Sequence, residues 1–359
     1  MSKYVDLTKI LTKLPDFAFD YIEMAYDGES VNTQIGYSID IKTFLEYLKK
    51  YKFKAIGEID EITPEMLNEV TLRDLNGFKA YLQEYENEYT TATGKKVKRV
   101  RRNNEYGINR KLSGIRGLFL YLYKNDYIDH NITDKLDFKK LHQKMKRPLT
   151  TQDVLNLIEV LYDGESFFEG RTRASYLNRK QRDIALFTAY LGTGCRVSEL
   201  VNLNINDVDF ESSSFVVTRK GGDQQEIFMP IQVENEMLKY VEERLSDEDT
   251  KDNDPLFISR NGKRILPQTV EKNLKSYCRA AGITDPDKMH PHALRRTFAC
   301  NMIADGVDIK MVAELMGHKN IEVTHRYYTQ YAVQKRKQVM RNFDITGQQE
   351  GEVSNGDRG

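Results

Sequence analysis

The 359-residue chain has no tryptophan, only three cysteines and eight prolines, and no net charge, with 54 Lys+Arg against 54 Asp+Glu. Cys195, Cys278 and Cys300 are odd in number and unpatterned, which excludes a disulfide framework and a CxxC metal knuckle. A reducing cytoplasm is the expected setting. No apolar run approaches the length that crosses a bilayer. The opening, MSKYVDLTKILTKLPDF, lacks an apolar core followed by a small-residue cleavage site, so it does not read as a secretory signal. What is present is the composition of a soluble globular protein, 40% apolar and 30% charged. The length is too great for one ordinary domain and suits two, each able to bury its own core.

The neutral sum hides a segregation of signs. Lys95, Lys96, Lys98, Arg99, Arg101, Arg102, Arg110 and Lys111 stand against the single acid Glu105. A second basic run, Lys139, Lys140, Lys144, Lys146 and Arg147, leads to Pro148, and a third holds Lys335, Arg336, Lys337 and Arg341. Acids gather at 58–69, at 242–254 and in the tail. Any one basic run could be a solvated helix face. Three runs, one in an expected linker, suit a polyanion such as DNA.

The pattern predicts a mainly α chain. Ser30 or Asn32 caps a segment with Ile35, Ile39, Ile41, Phe44, Leu45 and Leu48 on its stripe; Thr63-Pro64 opens another. Leu75, Phe78, Leu82 and Tyr85, then Ile108, Leu112, Ile115, Phe119 and Leu122, recur at helical spacing and read as core. Residues 1–136 are expected to form a helical domain and 137–149 a basic linker. Residues 150–343 are expected to form a second, α-rich domain, followed by a polar tail over 344–359. Thr150-Thr151 starts the second domain. Inside it, 208–210, 215–218 and 226–229 read as three short strands of a small antiparallel sheet.

Chemistry-bearing residues concentrate in that second domain. Arg196 follows the Gly192-Thr193-Gly194 turn and precedes Ser198-Glu199-Leu200; Lys220 occupies a Gly-rich hairpin tip. His292 and Arg295 are three apart and share a helix face, while Leu294, Phe298 and Met302 would dock that helix and hold the polar pair outward. Gly317-His318 is followed nine residues later by Tyr327. Guanidinium forks hold phosphate oxygens and imidazole moves protons near neutral pH, so the set suits a phosphoryl centre stabilised by side chains. Each residue also has a bland reading. Arg196 and Glu199 could be a surface ion pair, Lys220 a solvated turn residue, and Tyr327 one of 21 tyrosines. His290, His292, His318 and His325 fall close together, but their spacing matches no structural zinc site and no HExxH occurs. Residues 308–330 could equally form a helix-turn-helix, making the chain a non-catalytic DNA-binding regulator.

Taken together, Gly-x-Arg-x-Ser-Glu-Leu, a hairpin Lys-Gly, His-x-Leu-Arg, Gly-His and a tyrosine nine residues on resemble the tyrosine recombinases, which include phage integrases and the Xer-type enzymes. The stretches around Arg196 and over Val217-Thr218-Arg219-Lys220-Gly221-Gly222 look most like the Xer side. The resemblance implies a helical, SAM-like core-binding domain and an α-rich catalytic domain with a three-stranded antiparallel sheet. It implies that Arg196 and Arg295 clamp the scissile phosphate, His292 assists as acid/base, and His318, a Trp in some relatives, donates to the phosphate. Lys220 would protonate the departing 5′ oxygen and Glu199 would support the arginine. Tyr327 would attack to give a 3′-phosphotyrosine and a free 5′ hydroxyl, and two rounds through a Holliday junction would recombine the sites. Neither metal, ATP nor any other cofactor is implied.

The implied partners are double-stranded DNA, clamped on opposite faces by both domains, and a homotetramer on paired sites that exchanges C-terminal segments from about Phe343. An accessory protein or second recombinase is a further possible partner. Chromosome dimer resolution and mobile-element integration or excision use the same catalytic set. The sequence departs from the family at Arg296, where many relatives have His, and at Val323, where many have Thr. Tyr328 adjoins the nucleophile, but neighbouring helical residues point about 100° apart, so only one faces the phosphate; the spacing selects Tyr327. His290 reads as structural.

Overall fold

The computed structural model describes residues 3–26, 30–90, 96–141, 147–219, 221–247 and 254–317. Its contacts divide the chain into two units, Met1–Gln143 and Lys144–Gly359. Among the described residues no helix is long and apolar enough to cross a membrane.

The first unit is built by the helices α1 (Lys3–Leu11), α2 (Asp16–Ala25), α3 (Val31–Tyr51), α4 (Pro64–Asn68), α5 (Leu72–Tyr81) and α6 (Glu105–Lys124). Ser30 caps α3 by accepting from the Thr33 amide at 3.3 Å, and Thr63 precedes Pro64 at the start of α4. Ile41, Phe44, Leu45 and Leu48 are buried completely, as are Leu112, Ile115, Phe119 and Leu122 on α6. Ile39 departs from the expected stripe and is exposed, because it lies on the helix face away from these residues. Phe44 meets Phe78 and Phe119 edge-on at centroid distances of 5.0 and 6.1 Å, each pair worth about 1 kcal/mol beyond burial.

Two strands join these helices. β1 (Glu84–Thr90) and β2 (Lys96–Arg102) pair antiparallel, with Glu84 opposite Arg102 and Asn87 opposite Arg99. The basic run at 96–102 is therefore a strand. One hairpin face pairs Arg102 with Glu84 at 2.7 Å and Lys98 with Glu86 at 3.9 Å. Arg99 and Arg101 lie on the other face, opposite Asn87 and Tyr85, with no acid across from them.

The second unit comprises α7 (Thr151–Tyr162), α8 (Gly164–Phe167), α9 (Gly170–Leu177), α10 (Lys180–Thr193), α11 (Val197–Asn202), α12 (Ile231–Ser246), α13 (Pro267–Ala280), α14 (Pro291–Ala304) and α15 (Ile309–Leu315). Its sheet, β3 (Val208–Asp209), β4 (Ser214–Thr218) and β5 (Gln224–Phe228), is three-stranded and antiparallel in that order, as expected. Thr150 caps α7 by accepting from the Asp153 amide at 3.1 Å. The nearly inaccessible α10 runs through the core and is moored by Asp183. That carboxylate takes Arg182 at 2.6 Å, Arg179 at 3.0 Å, the Tyr277 hydroxyl at 2.8 Å and Asn273 at 3.2 Å. Four donors meet the demand of a buried carboxylate. They also fix the helix whose C-terminal end delivers Arg196.

Candidate active site

Gly194 ends α10 in the left-handed region, φ +62°, and a Cβ there would stand 2.3 Å from the Phe298 ring. Only glycine meets both conditions. The chain then turns into α11 with Arg196 as its first flanking residue. Glu199, one turn on, accepts from the Arg196 amide at 2.6 Å through Oε2 and from Arg196 Nη1 at 2.7 Å through Oε1. Glu199 is buried while Arg196 is about one-third exposed, so the pair is an anchored arginine rather than a surface ion pair.

Arg295 comes from α14. The expectation that His292 and Arg295 both point outward holds only for His292, which is exposed in the first turn. Arg295 is 5% exposed and turns inward, because two backbone carbonyls await it. Its Nη1 donates to Gly194 O at 2.6 Å and its Nη2 to Met316 O. Leu294 packs into the main core, whereas Phe298 and Ile303 join Val312 and Met316 in a small separate core that seats α15 against α14. His290 flanks α14 ahead of Pro291, and its ring lies 6.3 Å from that of His292.

The turn after α15 gathers the cations. Arg196 Nη2 donates to Gly317 O at 3.2 Å, and Arg295 reaches the carbonyl of the residue before it. Gly317 adopts φ +60°, and a Cβ there would meet the guanidinium of a third arginine, Arg219, at 2.6 Å. Arg219 Nη1 donates to Glu199 Oε2 at 2.9 Å. One carboxylate thus bridges two arginines. Sequence reasoning assigned Arg219 no part, although β4 alternates Phe215 and Val217 inward and Arg219 occupies the next inward position. An inward arginine at the end of such a row requires a buried acid.

The described residues bring Arg196, Glu199 and Arg295 together beside the residue that precedes His318, with His292 three residues before Arg295 on α14. Lys220, His318 and Tyr327 lie outside the described residues, as do Lys95, Lys144 and Lys146. Of the other basic candidates, Lys98, Arg99, Arg101, Arg102, Lys140 and Arg147 are exposed, Lys139 is half-buried, and the strand places Lys96 in register with Thr90. Arg110 is half-exposed and paired with Asp40 at 2.7 Å. Lys111 differs: it is 7% exposed with its ammonium 2.5 Å from the buried Asp40, so its charge serves the core of the first unit. Among the described residues no three His, Cys, Asp or Glu side chains come together as a metal site would need.

Burial pushes the Glu199 carboxyl up, but the Arg196 amide and the Arg196 and Arg219 guanidiniums outweigh it and hold it below the usual range. Burial, then the nearby Arg196 charge, lowers Arg295 to about 10, still protonated at neutral pH. Burial raises the Cys195 thiol to about 11, so it is no nucleophile. A depressed carboxyl stabilises the fold above its unfolded pKa, and that contribution is lost as pH falls through the folded value. Glu199→Gln is therefore expected to lose about 3 kcal/mol at pH 7, since Arg219 stays buried beside a neutral group. The gap from wild type should narrow only as pH falls from the ordinary carboxylate range through the depressed folded value of Glu199, below which both chains carry a neutral group at this position. Thermal unfolding across pH 3–8 checks this, and a gap that widens toward acid would contradict it.

The phage integrase family model matches residues 172–335. Tyrosine recombinase XerC of Caldanaerobacter subterraneus subsp. tengcongensis is 30% identical over 321 residues, covering 88% of this chain and 82% of its own. Tyrosine recombinase XerS of Lactococcus lactis subsp. cremoris is 27% identical over 346 residues, covering 90% and 94%. The crystal structure of the XerH site-specific recombinase bound to palindromic difH substrate has the same fold, with a TM-score of 0.61 at 17% identity over 88% of this chain and 81% of that one. The chain therefore belongs to the tyrosine recombinase, or phage integrase, family.

Proposed function

We propose that this recombinase cuts and rejoins double-stranded DNA at specific sites through Tyr327. The carrying observation is the convergence of Arg196 and Arg295, distant in sequence, on the carbonyls of Gly317 and Met316, immediately before His318. Such paired forks suit the non-bridging oxygens of a phosphodiester and the extra charge of its transition state. Tyr327 attacks phosphorus and His292 assists by accepting its proton. Lys220 protonates the departing 5′ oxygen, and His318 donates to the phosphate. The bond energy stays in the 3′-phosphotyrosine, so a 5′ hydroxyl from a partner duplex can reverse the step without ATP. A Holliday junction links the two rounds.

In this reading residues 1–136 form the core-binding domain, 150–343 the catalytic domain, and the basic stretch 137–149 connects them. Lys96, Lys98, Arg99, Arg101, Arg102, Arg110, Lys139, Lys140 and Arg147 contact the DNA backbone, which gives affinity without sequence choice. Lys95, Lys144 and Lys146 are proposed to act in the same way. The working form is a homotetramer on paired sites in the cytoplasm, with an accessory protein or second recombinase setting direction. The relatives named as recombinases favour catalysis over the regulator reading.

Incubation with sheared genomic DNA in excess EDTA, stopped with SDS, tests this. Covalent adducts through DNA 3′ ends, with free 5′ hydroxyls opposite, are expected. Their junction sequences would name the site and separate chromosome maintenance from element mobility. Salt-sensitive binding without adducts would favour the regulator.

A further inference from the structure

Arg219 is buried more deeply than Arg196 and makes more contacts than its ion pair needs. Besides Glu199, its Nε donates to Gln225 Oε1 at 2.8 Å and its Nη2 to Leu315 O at 3.2 Å. Its amide donates to Asp223 O at 2.7 Å, and its carbonyl accepts from the Gly222 amide at 3.0 Å, closing the tip between β4 and β5. Gln225 Nε2 adds a second tie, to Glu314 O at 3.3 Å. One guanidinium therefore joins three pieces: α11 through Glu199, the hairpin through Gln225, and the C-terminal end of α15 through Leu315. Lys220 is the next residue along the chain from Arg219, and His318 the next from Gly317.

A leucine would continue the inward row of Phe215 and Val217 without the desolvation cost that a buried guanidinium carries. Shape and burial alone thus do not call for arginine. Its fork instead fixes the hairpin tip relative to the phosphate-clamping arginines. We infer that Arg219 is a positioning residue for the general acid: it sets where the Lys220 ammonium meets the leaving 5′ oxygen. The inference rests on the reading of Lys220 given above. In the step concerned, the Tyr327 oxygen bonds to phosphorus as the P–O5′ bond breaks, and the phenolic proton passes to His292. Lys220 gives its proton to the departing oxygen, leaving a neutral amine and a 5′ hydroxyl. A misplaced hairpin would starve only the last of these transfers.

A duplex bearing the cleavage site recovered from the adducts, made with oxygen or with sulfur at the 5′ bridging position, separates the possibilities. A departing thiolate needs no proton, so the sulfur duplex bypasses the general acid. Arg219→Met is expected to slow cleavage of the oxygen duplex about 100-fold and to cleave the sulfur duplex within about threefold of wild type. Lys220→Ala should show the same pattern more strongly. Arg219→Lys should recover part of the oxygen rate, because it keeps the charge on Glu199 while losing the fork. Gln225→Leu, at a half-buried and more tolerant position, should give the same signature in milder form if Arg219→Met fails to fold.

Equal slowing of Arg219→Met on both duplexes would assign Arg219 to the phosphate clamp or to the fold and overturn the inference. Wild-type rates on both would do so as well. A Lys220→Ala variant that sulfur does not rescue would instead overturn the general-acid reading of Lys220, and the positioning inference with it.

Discussion

Tyr327→Phe is expected to bind DNA as wild type does and to form no covalent adduct. The phenyl ring keeps the shape and loses only the oxygen that bonds to phosphorus, so joining falls to background rather than by a modest factor. The proposed phosphate clamp of Arg196 and Arg295, and the proposed backbone contacts of the basic residues, do not involve that oxygen. A gel-shift titration beside an SDS-stopped adduct assay separates the two effects. Loss of both together would mean that Tyr327 serves the fold, and persistence of both would remove it from the chemistry.

Arg295→Lys is the second large effect. The charge is conserved, but a single ammonium cannot reach Gly194 O and Met316 O together while presenting further donors to a phosphate. Cleavage is expected to fall about 100- to 1,000-fold, the cost of removing one transition-state donor, with DNA affinity nearly unchanged. Burial and then the neighbouring Arg196 charge together lower Arg295 to about 10, and a bound phosphate offsets that repulsion. Single-turnover cleavage at saturating enzyme checks the prediction. A variant that loses affinity but cleaves normally once bound would show that Arg295 acts in binding alone.

The elements that position this site were legible wherever apolar spacing had one period. The α6 stripe from Ile108 to Leu122, the Thr150 cap and the alternation of β4 all announce themselves in that way. The β1–β2 hairpin did not, because EYENEYT and KVKRVRR carry charges where an apolar period would be and pair them across the strands. Residue type misleads in two further places. Lys111 follows Ile108 by three and precedes Ile115 by four, so it sits in the buried stripe, where Asp40 neutralises it. Arg219 sits in an inward strand position, and its burial follows from the alternation once the strand is extended by one residue. Both are visible in the spacing, and both require a partner acid that spacing does not identify. The motif order around Arg196, Glu199, His292 and Arg295 needed no such partner to be recognised. Only the inward turn of Arg295, drawn by carbonyls of distant segments, depends on the tertiary fold.

The central claim is that Tyr327 carries the DNA during the reaction. Its most direct test is to digest the SDS-stable adduct with protease and nuclease and to identify by mass spectrometry the residue that bears the nucleotide. The account expects a nucleotide joined through its 3′ phosphate to Tyr327, formed in EDTA and missing from Tyr327→Phe. A nucleotide on Tyr328, or on a serine, or adducts that survive in Tyr327→Phe, would contradict it.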